Sequence, residues 1–265
     1  MSIFLQNHSN YLHRKPVTNT VLDMSKQIRL GILTPSSNTA LEPLTFEMVS
    51  SIPNVSVHFS RFPVTQISLS DKGLAQFDQS VIIQAAQLLA HAEVDMIGWS
   101  GTAAVWMGFE SDEKLCEATK ATGIPATTSV LALNKALNIF KIKKLGLVTP
   151  YLDDVQEKIV KNYTNYGIEV TSETERHLCV AKNNDVALIG EDVLENMVGQ
   201  VVEGGAEAVS TFCTNLIAAH KVEIWEKKYG VPVFDTVTTV VWDMLKQCGV
   251  HTKAIKGWGR IFQEV

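Results

Sequence analysis

The sequence offers no apolar stretch long enough to cross a bilayer, no glycine-rich phosphate loop and no paired cysteines. The longest apolar runs, such as Val81–Ala90, are interrupted by Gln, which excludes a membrane span and argues for a soluble protein. Neither a GxGxxG nor a GxxxxGK pattern occurs, so nothing supports a nucleotide cofactor. There is no basic cluster. With 23 basic against 28 acidic residues the net charge is −5, which argues against nucleic acid as a partner. The four cysteines (Cys116, Cys179, Cys213 and Cys248) form no CxxC pair and show no metal-ligand spacing. Neither a disulfide framework nor a metal is expected, and reduced thiols in a cytoplasmic enzyme are the simplest reading.

What the chain does contain is repetition. Arg29-Leu30-Gly31-Ile32-Leu33-Thr34-Pro35 returns as Lys144-Leu145-Gly146-Leu147-Val148-Thr149-Pro150, an offset of 115 (35 to 150). Val94–Thr102 is echoed by Ala206–Thr214 at an offset of 112 (102 to 214), and Gly123-Ile124-Pro125 by Gly230-Val231-Pro232 at 107 (123 to 230). Three echoes in one order indicate a duplicated α/β unit. Two such units facing each other bring their strand-end loops together, where open parallel sheets bind ligands.

The predicted elements alternate. Strands are expected at Ile28–Thr34, Val55–Phe62, Val94–Trp99 and Lys144–Thr149, near Ile168–Val170, and at Ala206–Phe212 and Pro232–Phe234. Between them the apolar spacing predicts helices over Thr39–Ser50, Gln76–Ala92, Glu113–Thr122, Val130–Phe140, Glu191–Glu203, Asn215–Tyr229 and Val237–Gln247, with another starting at Asp153. The expected class is α/β, with two αβα lobes related by a pseudo-two-fold and mostly parallel sheets. Lobe one is assigned to 28–124 plus 236–265 and lobe two to 125–235. The final segment, Trp258-Gly259-Arg260-Ile261-Phe262, is expected to pack back across lobe one. Residues 1–27 lie outside the repeat and read as a flexible extension. Met1–Val21 carries Arg14 and Lys15 but no acid, which faintly resembles an organelle presequence.

At one pair of equivalent turns the halves differ: Gly101 stands where the second half has Cys213. A thiol between a strand end and a helix start is favoured as thiolate by the helix dipole and free N–H donors, relative to an unperturbed pKa of ~8.5. Thr102 either caps the next helix or, with backbone N–H groups of its turn, holds a carboxylate or an enolate oxyanion. Pro35-Ser36-Ser37-Asn38 is either an ordinary turn or a carboxylate clamp, and Tyr151 adds a phenolic donor at the matching turn of lobe two. His220, seven residues past Cys213, reads as a surface or core histidine rather than a base. The other three cysteines read as packing residues. If Gly101 is small only to clear the cleft, a cysteine there would face Cys213 across a bound substrate.

The landmarks Thr34–Asn38, Gly101-Thr102, Thr149–Val155, Cys213 and Gly257–Phe262 resemble the arylmalonate decarboxylase and maleate isomerase branch of the aspartate/glutamate racemase superfamily. The resemblance implies two αβα lobes with the site between them, a small carboxylic-acid substrate, and no metal, flavin, pyridoxal phosphate or nucleotide; self-association stays open. It further implies that Cys213 protonates one face of an enediolate held by Thr102, Tyr151 and the N–H groups of Ala103 and Thr214. Racemases and isomerases of this kind carry a cysteine in each lobe, so Gly101 aligns the chain with the decarboxylases. Ala103 departs from their pattern, in which a hydroxyl residue stands at that position. Asn38 and Asn184, in Asn183-Asn184-Asp185, match the isomerases' carboxylate-binding asparagines, with an alternative alignment at Asn183. Decarboxylation is the leading expectation, then maleate cis–trans isomerisation, then amino-acid or hydantoin racemisation. A non-catalytic small-acid sensor is the alternative of another class.

Overall fold

The computed structural model describes residues 27–265; the N-terminal extension expected from the sequence lies outside the described residues. Eight strands form two four-stranded parallel sheets of identical order, β2-β1-β3-β4 and β6-β5-β7-β8. The first contains β1 (Ile28–Pro35), β2 (Val55–Phe62), β3 (Met96–Trp99) and β4 (Ala126–Thr128); the second, β5 (Leu145–Thr149), β6 (Glu175–His177), β7 (Ala208–Thr211) and β8 (Val233–Asp235). The central strands β1, β3, β5 and β7 are buried almost end to end, so they read as unbroken apolar runs. The edge strand β2 keeps Arg61 in water and buries Ser60 and Phe62 on either side of it.

The duplication extends to the last helix of each half. Thr128 caps Ser129–Ile139 by accepting from Leu131 N at 3.0 Å, and Asp235 caps Thr236–Gln247 by accepting from Val237 N at 2.7 Å. These two helices pack on each other, joined where Ser129 Oγ donates to Thr236 O (2.6 Å) and Thr239 Oγ1 donates to Ser129 O (3.0 Å). Thr236–Gln247 also lies across β3 and β4 of the first sheet. Gly98 permits the approach, since a Cβ there would sit 2.3 Å from Met244 Sδ.

Three expectations are corrected. The strand anticipated near Ile168–Val170 is a single bridge, Lys144 to Glu169; Ile168 and Val170 are buried as the chain turns in behind Gly167, and pairing begins only at Glu175. The helix anticipated over Asn215–Tyr229 is shorter. Turns occupy 214–218, a 3₁₀ segment covers Ala219–Lys221, and α-helix runs only from Val222 to Tyr229. The terminal segment reaches beyond the first lobe, since Arg260 N donates to Glu226 of Val222–Tyr229 at 2.8 Å. Among the described residues no helix is long and apolar enough to cross a membrane.

Candidate active site

The turns after β1, β3, β5 and β7 converge on a cavity of about 30 Å³ lined by Pro35, Asn38, Val64, Ile67, Phe77, Trp99, Gly101, Thr102, Ala103, Trp106, Tyr151, Asn183, Cys213 and Thr214. That is room for roughly two waters. The cavity is closed on one side by the segment Val64–Phe77, which Ser36 and Ser37 hold through hydrogen bonds from both hydroxyls to Val64 O. An antiparallel bridge between Gln66 and Lys182 joins this segment to the other half.

Cys213 follows β7 and is 3% exposed. Burial pushes its thiol up to about 11, although N–H groups of Asn215 and Leu216 and the Tyr151 hydroxyl favour the thiolate. The expected helix-start activation is therefore corrected. The next eight residues form turns and a 3₁₀ segment rather than an α-helix, leaving little dipole to oppose desolvation. Cys213 rests as a thiol.

Opposite it, Thr102 Oγ1 and Tyr151 Oη share a hydrogen bond of 2.6 Å across the two halves, both residues being buried. Burial holds the Tyr151 phenol well above its ordinary range, so it stays a donor. Thr102 and Ala103 enter the short helix Ala104–Met107, whose first N–H groups have no partner within the helix. Thr214 Oγ1 accepts from Asn38 Nδ2 at 3.1 Å and donates to Ser100 O at 3.3 Å.

Asn38 serves two ends at once. Its Oδ1 accepts from Ala40 N and Leu41 N, both at 3.0 Å, at the start of helix Leu41–Val49, while its amide nitrogen reaches Thr214. Of the Pro35–Asn38 turn, only Pro35 and Asn38 line the cavity; Ser36 and Ser37 fasten the covering segment instead. Asn184 is exposed and outside the cavity, whereas Asn183 is buried, lines it, and donates from Nδ2 to Ser37 Oγ at 2.8 Å. Of the two positions left open by the sequence, Asn183 is therefore the one that reaches the cavity, since Asn184 is its exposed neighbour one step round the short helix Asn183–Val186.

Gly101 lines the cavity beneath the Trp99 indole. A Cβ built there would lie 2.0 Å from the Trp99 ring, so the expectation that a cysteine fits is corrected. The Trp99 indole, packed on Phe62 at 4.9 Å between ring centroids, occupies that volume. His220 lies outside the cavity and pairs with Glu191 at 2.9 Å. Burial lifts the half-buried Cys116 to about 12.

Sequence reasoning missed the apolar wall of Val64, Ile67, Phe77, Trp99 and Trp106, and it missed Asn215. Asn215 is buried, accepts from Thr39 N and Ala40 N at 3.0 and 3.2 Å, and donates to Asn183 O at 2.6 Å, clasping the two halves beneath the cavity. Its position two residues after Cys213 was the available signal.

Known proteins resemble this chain in sequence and in fold. The maleate isomerase of Pseudomonas putida is 27% identical over 239 residues, 84% of this chain and 92% of that protein. The arylmalonate decarboxylase of Bordetella bronchiseptica is 25% identical over 202 residues, 74% and 82% of the two chains. Among solved structures, a cysteine-to-serine variant of the Nocardia farcinica maleate cis-trans isomerase, carrying a covalently bound succinylcysteine intermediate, superposes with a TM-score of 0.80 at 23% identity, covering 90% of this chain and 99% of that one. The family model described as arylmalonate decarboxylase matches residues 30–262, nearly the whole chain, and the protein belongs to that family.

Proposed function

We propose that this protein is a cofactor-independent, cysteine-dependent enzyme that decarboxylates a small α-substituted malonate-type acid through an enediolate. The observation that carries this reading is the one-sidedness of the cavity: a protonated thiol at Cys213, and the Trp99 indole where a second thiol would stand. Losing carbon dioxide leaves an enediolate that needs one proton on one face.

The apolar wall of Val64, Ile67, Phe77 and Trp106 strips water from the departing carboxylate and raises its ground-state free energy. Thr102, Tyr151 and the backbone N–H groups of Ala103 and Thr214 donate to the enediolate oxygens, where preorganised donors give the largest share of barrier reduction. The Cys213 S–H proton then moves to carbon. The enediolate carbon is far more basic than a thiolate, so a thiol near 11 is a competent donor. The resulting thiolate is held by Tyr151 and the N–H groups of Asn215 and Leu216 until solvent reprotonates it. A positioned general acid of this kind contributes ~10²–10⁴-fold. The segment Val64–Phe77 gives Val64, Ile67 and Phe77 to the wall, and we take it as the part that yields to admit substrate.

Maleate cis–trans isomerisation is the second reading. It is favoured by two buried amides, Asn38 and Asn183, lining one cavity, and by the isomerase relatives. The deciding experiment is a panel of arylmalonates, alkylmalonates, maleate, aspartate and hydantoins assayed in D₂O. Carbon dioxide release with one deuterium delivered to one face supports decarboxylation. Fumarate from maleate without carbon dioxide replaces it with the second reading, and no turnover of any acid leaves a binding protein.

A further inference from the structure

Outside the cavity, at the start of helix Asp153–Tyr166, Asp153 Oδ1 lies 2.8 Å from His177 Nε2 and 3.2 Å from Cys179 Sγ. These three ligand atoms fall within 4.8 Å of one another. A tetrahedral zinc ion, with bonds of about 2.0–2.3 Å to nitrogen, oxygen and sulfur, needs its ligands about 3.3–3.6 Å apart. The two separations from Asp153 must open by only a few tenths of an ångström. We propose that Asp153, His177 and Cys179 form a zinc-type cation site with its fourth position open to solvent.

The arrangement behind the ligands supports this independently. Glu175 Oε2 lies 2.9 Å from His177 Nδ1, the carboxylate–histidine pairing that fixes a ring with Nε2 free to bind metal. Glu175 is itself held by Gln156 Nε2 at 2.9 Å, and Gln156 Oε1 accepts from the buried Thr149 Oγ1 at 2.7 Å. A chain of hydrogen bonds therefore runs from the sheet core to the imidazole and sets its orientation. A borderline-soft ion suits the mixed oxygen, nitrogen and sulfur donors, where calcium or magnesium would want oxygen alone. Binding exchanges the thiol proton for the metal and releases it to solvent.

The site is linked to the cavity through the backbone. Cys179 N donates to Tyr151 O at 3.1 Å and Val180 N to Pro150 O at 2.7 Å, and the same segment continues to Lys182, which bridges Gln66, and to Asn183. A bound ion pins this segment to the helix start without touching substrate. The sequence hid the site because Asp153 lies 24 residues before its histidine partner.

The test uses the full chain freed of metal with a chelator and titrated with zinc, and separately with cobalt. One equivalent should bind, with a thiolate-to-cobalt charge-transfer absorption. Cys179→Ser and His177→Gln should each weaken zinc binding more than about 100-fold and remove that absorption, and Glu175→Gln should weaken it about 10–100-fold. Cys213→Ala should bind as the unaltered chain does. In the unaltered chain, zinc should also protect Cys179 from iodoacetamide, a readout that needs no variant. Absence of stoichiometric binding at micromolar zinc, binding unchanged in Cys179→Ser, or undiminished alkylation of Cys179 would each overturn the proposal.

Discussion

The turn after β3 and the turn after β7 occupy matching places in matching sheets, yet they contribute opposite things. After β7 the chain presents a small polarizable acid, Cys213, backed by the N–H groups of Asn215 and Leu216. After β3 it presents donors, Thr102 and the opening of a short helix, and a large indole, Trp99, folded over Gly101. Duplication supplied the frame, with identical strand order and capped final helices. The chemistry arises where the copies have diverged, because a site that is the same on both faces cannot favour one.

The sharpest way to break this comparison is Cys213→Ala. Turnover should fall by at least 10²–10⁴-fold while the thermal midpoint stays within a few degrees, because removing one sulfur from a buried site leaves a small void. Cys116→Ala and Cys248→Ala should stay active. Near-wild-type turnover in folded Cys213→Ala ends the single-thiol mechanism. Next in size, Tyr151→Phe takes away a donor that the two halves share through Thr102, and kcat should drop roughly 10²–10³-fold, as for loss of one oxyanion donor. A change confined to KM would show that the phenol only binds.

Asn38→Ala tests the clasp rather than the chemistry. It removes a helix cap and the bond to Thr214, so about 1 kcal/mol of stability should go together with a higher KM for diacids at similar kcat. An unchanged KM makes Asn38 purely structural. Gly101→Cys alone collides with Trp99 and should cost about 1–3 kcal/mol without new activity. The pair Trp99→Ala with Gly101→Cys clears the volume, and it should bring α-proton exchange into D₂O and erode the enantiomeric excess of the product. A folded double variant that still delivers one enantiomer would show that the two turns do not face one substrate.

The smallest expected effect concerns a buried carboxyl that each half places in the helix before its last strand. Burial lifts both Asp112 and Glu226 to about 7. The folded state thus holds protons that the unfolded state releases near 4. The contribution favours folding below about pH 4 and is lost as pH rises to 7. Glu226 accepts from Val233 N and Arg260 N, whereas Asp112 keeps an oxygen without a partner. Asp112→Asn should therefore flatten the decline of the thermal midpoint between pH 4 and 7 by a few degrees at little other cost, and Glu226→Gln should lower it throughout. Identical pH profiles for both variants and the unaltered chain would show that neither carboxyl holds its proton.

The repeats Arg29–Pro35 and Lys144–Pro150 disclosed the strand frame because buried parallel strands must be apolar at nearly every position, and that pattern survives divergence. The same echoes located Thr102, Tyr151 and Cys213, since turns at strand ends are fixed by the frame. The direction a large side chain takes is not written in a repeat. Trp99 lies two residues before Gly101, as its counterpart Thr211 does before Cys213, and the repeat does not tell that the Trp99 ring, packed on Phe62, lies over the glycine. Asn183 and Asn184 differ by one position along a helical turn, which composition cannot distinguish. Cys213 lacks a helix dipole because Thr214–Ala218 form turns in which Leu216 N bonds back to Cys213 O rather than starting an α-helix.

The bridge between Gln66 and Lys182 has a kinetic consequence. Where an acid displaces the covering segment to enter, the competent molecules are those in which that bridge is parted. Measured affinity is then the intrinsic affinity scaled down by the open fraction. A substitution that weakens the bridge should tighten apparent binding while letting water reach the enediolate, so that the same contact sets both how readily acid is captured and how faithfully its one face is protonated.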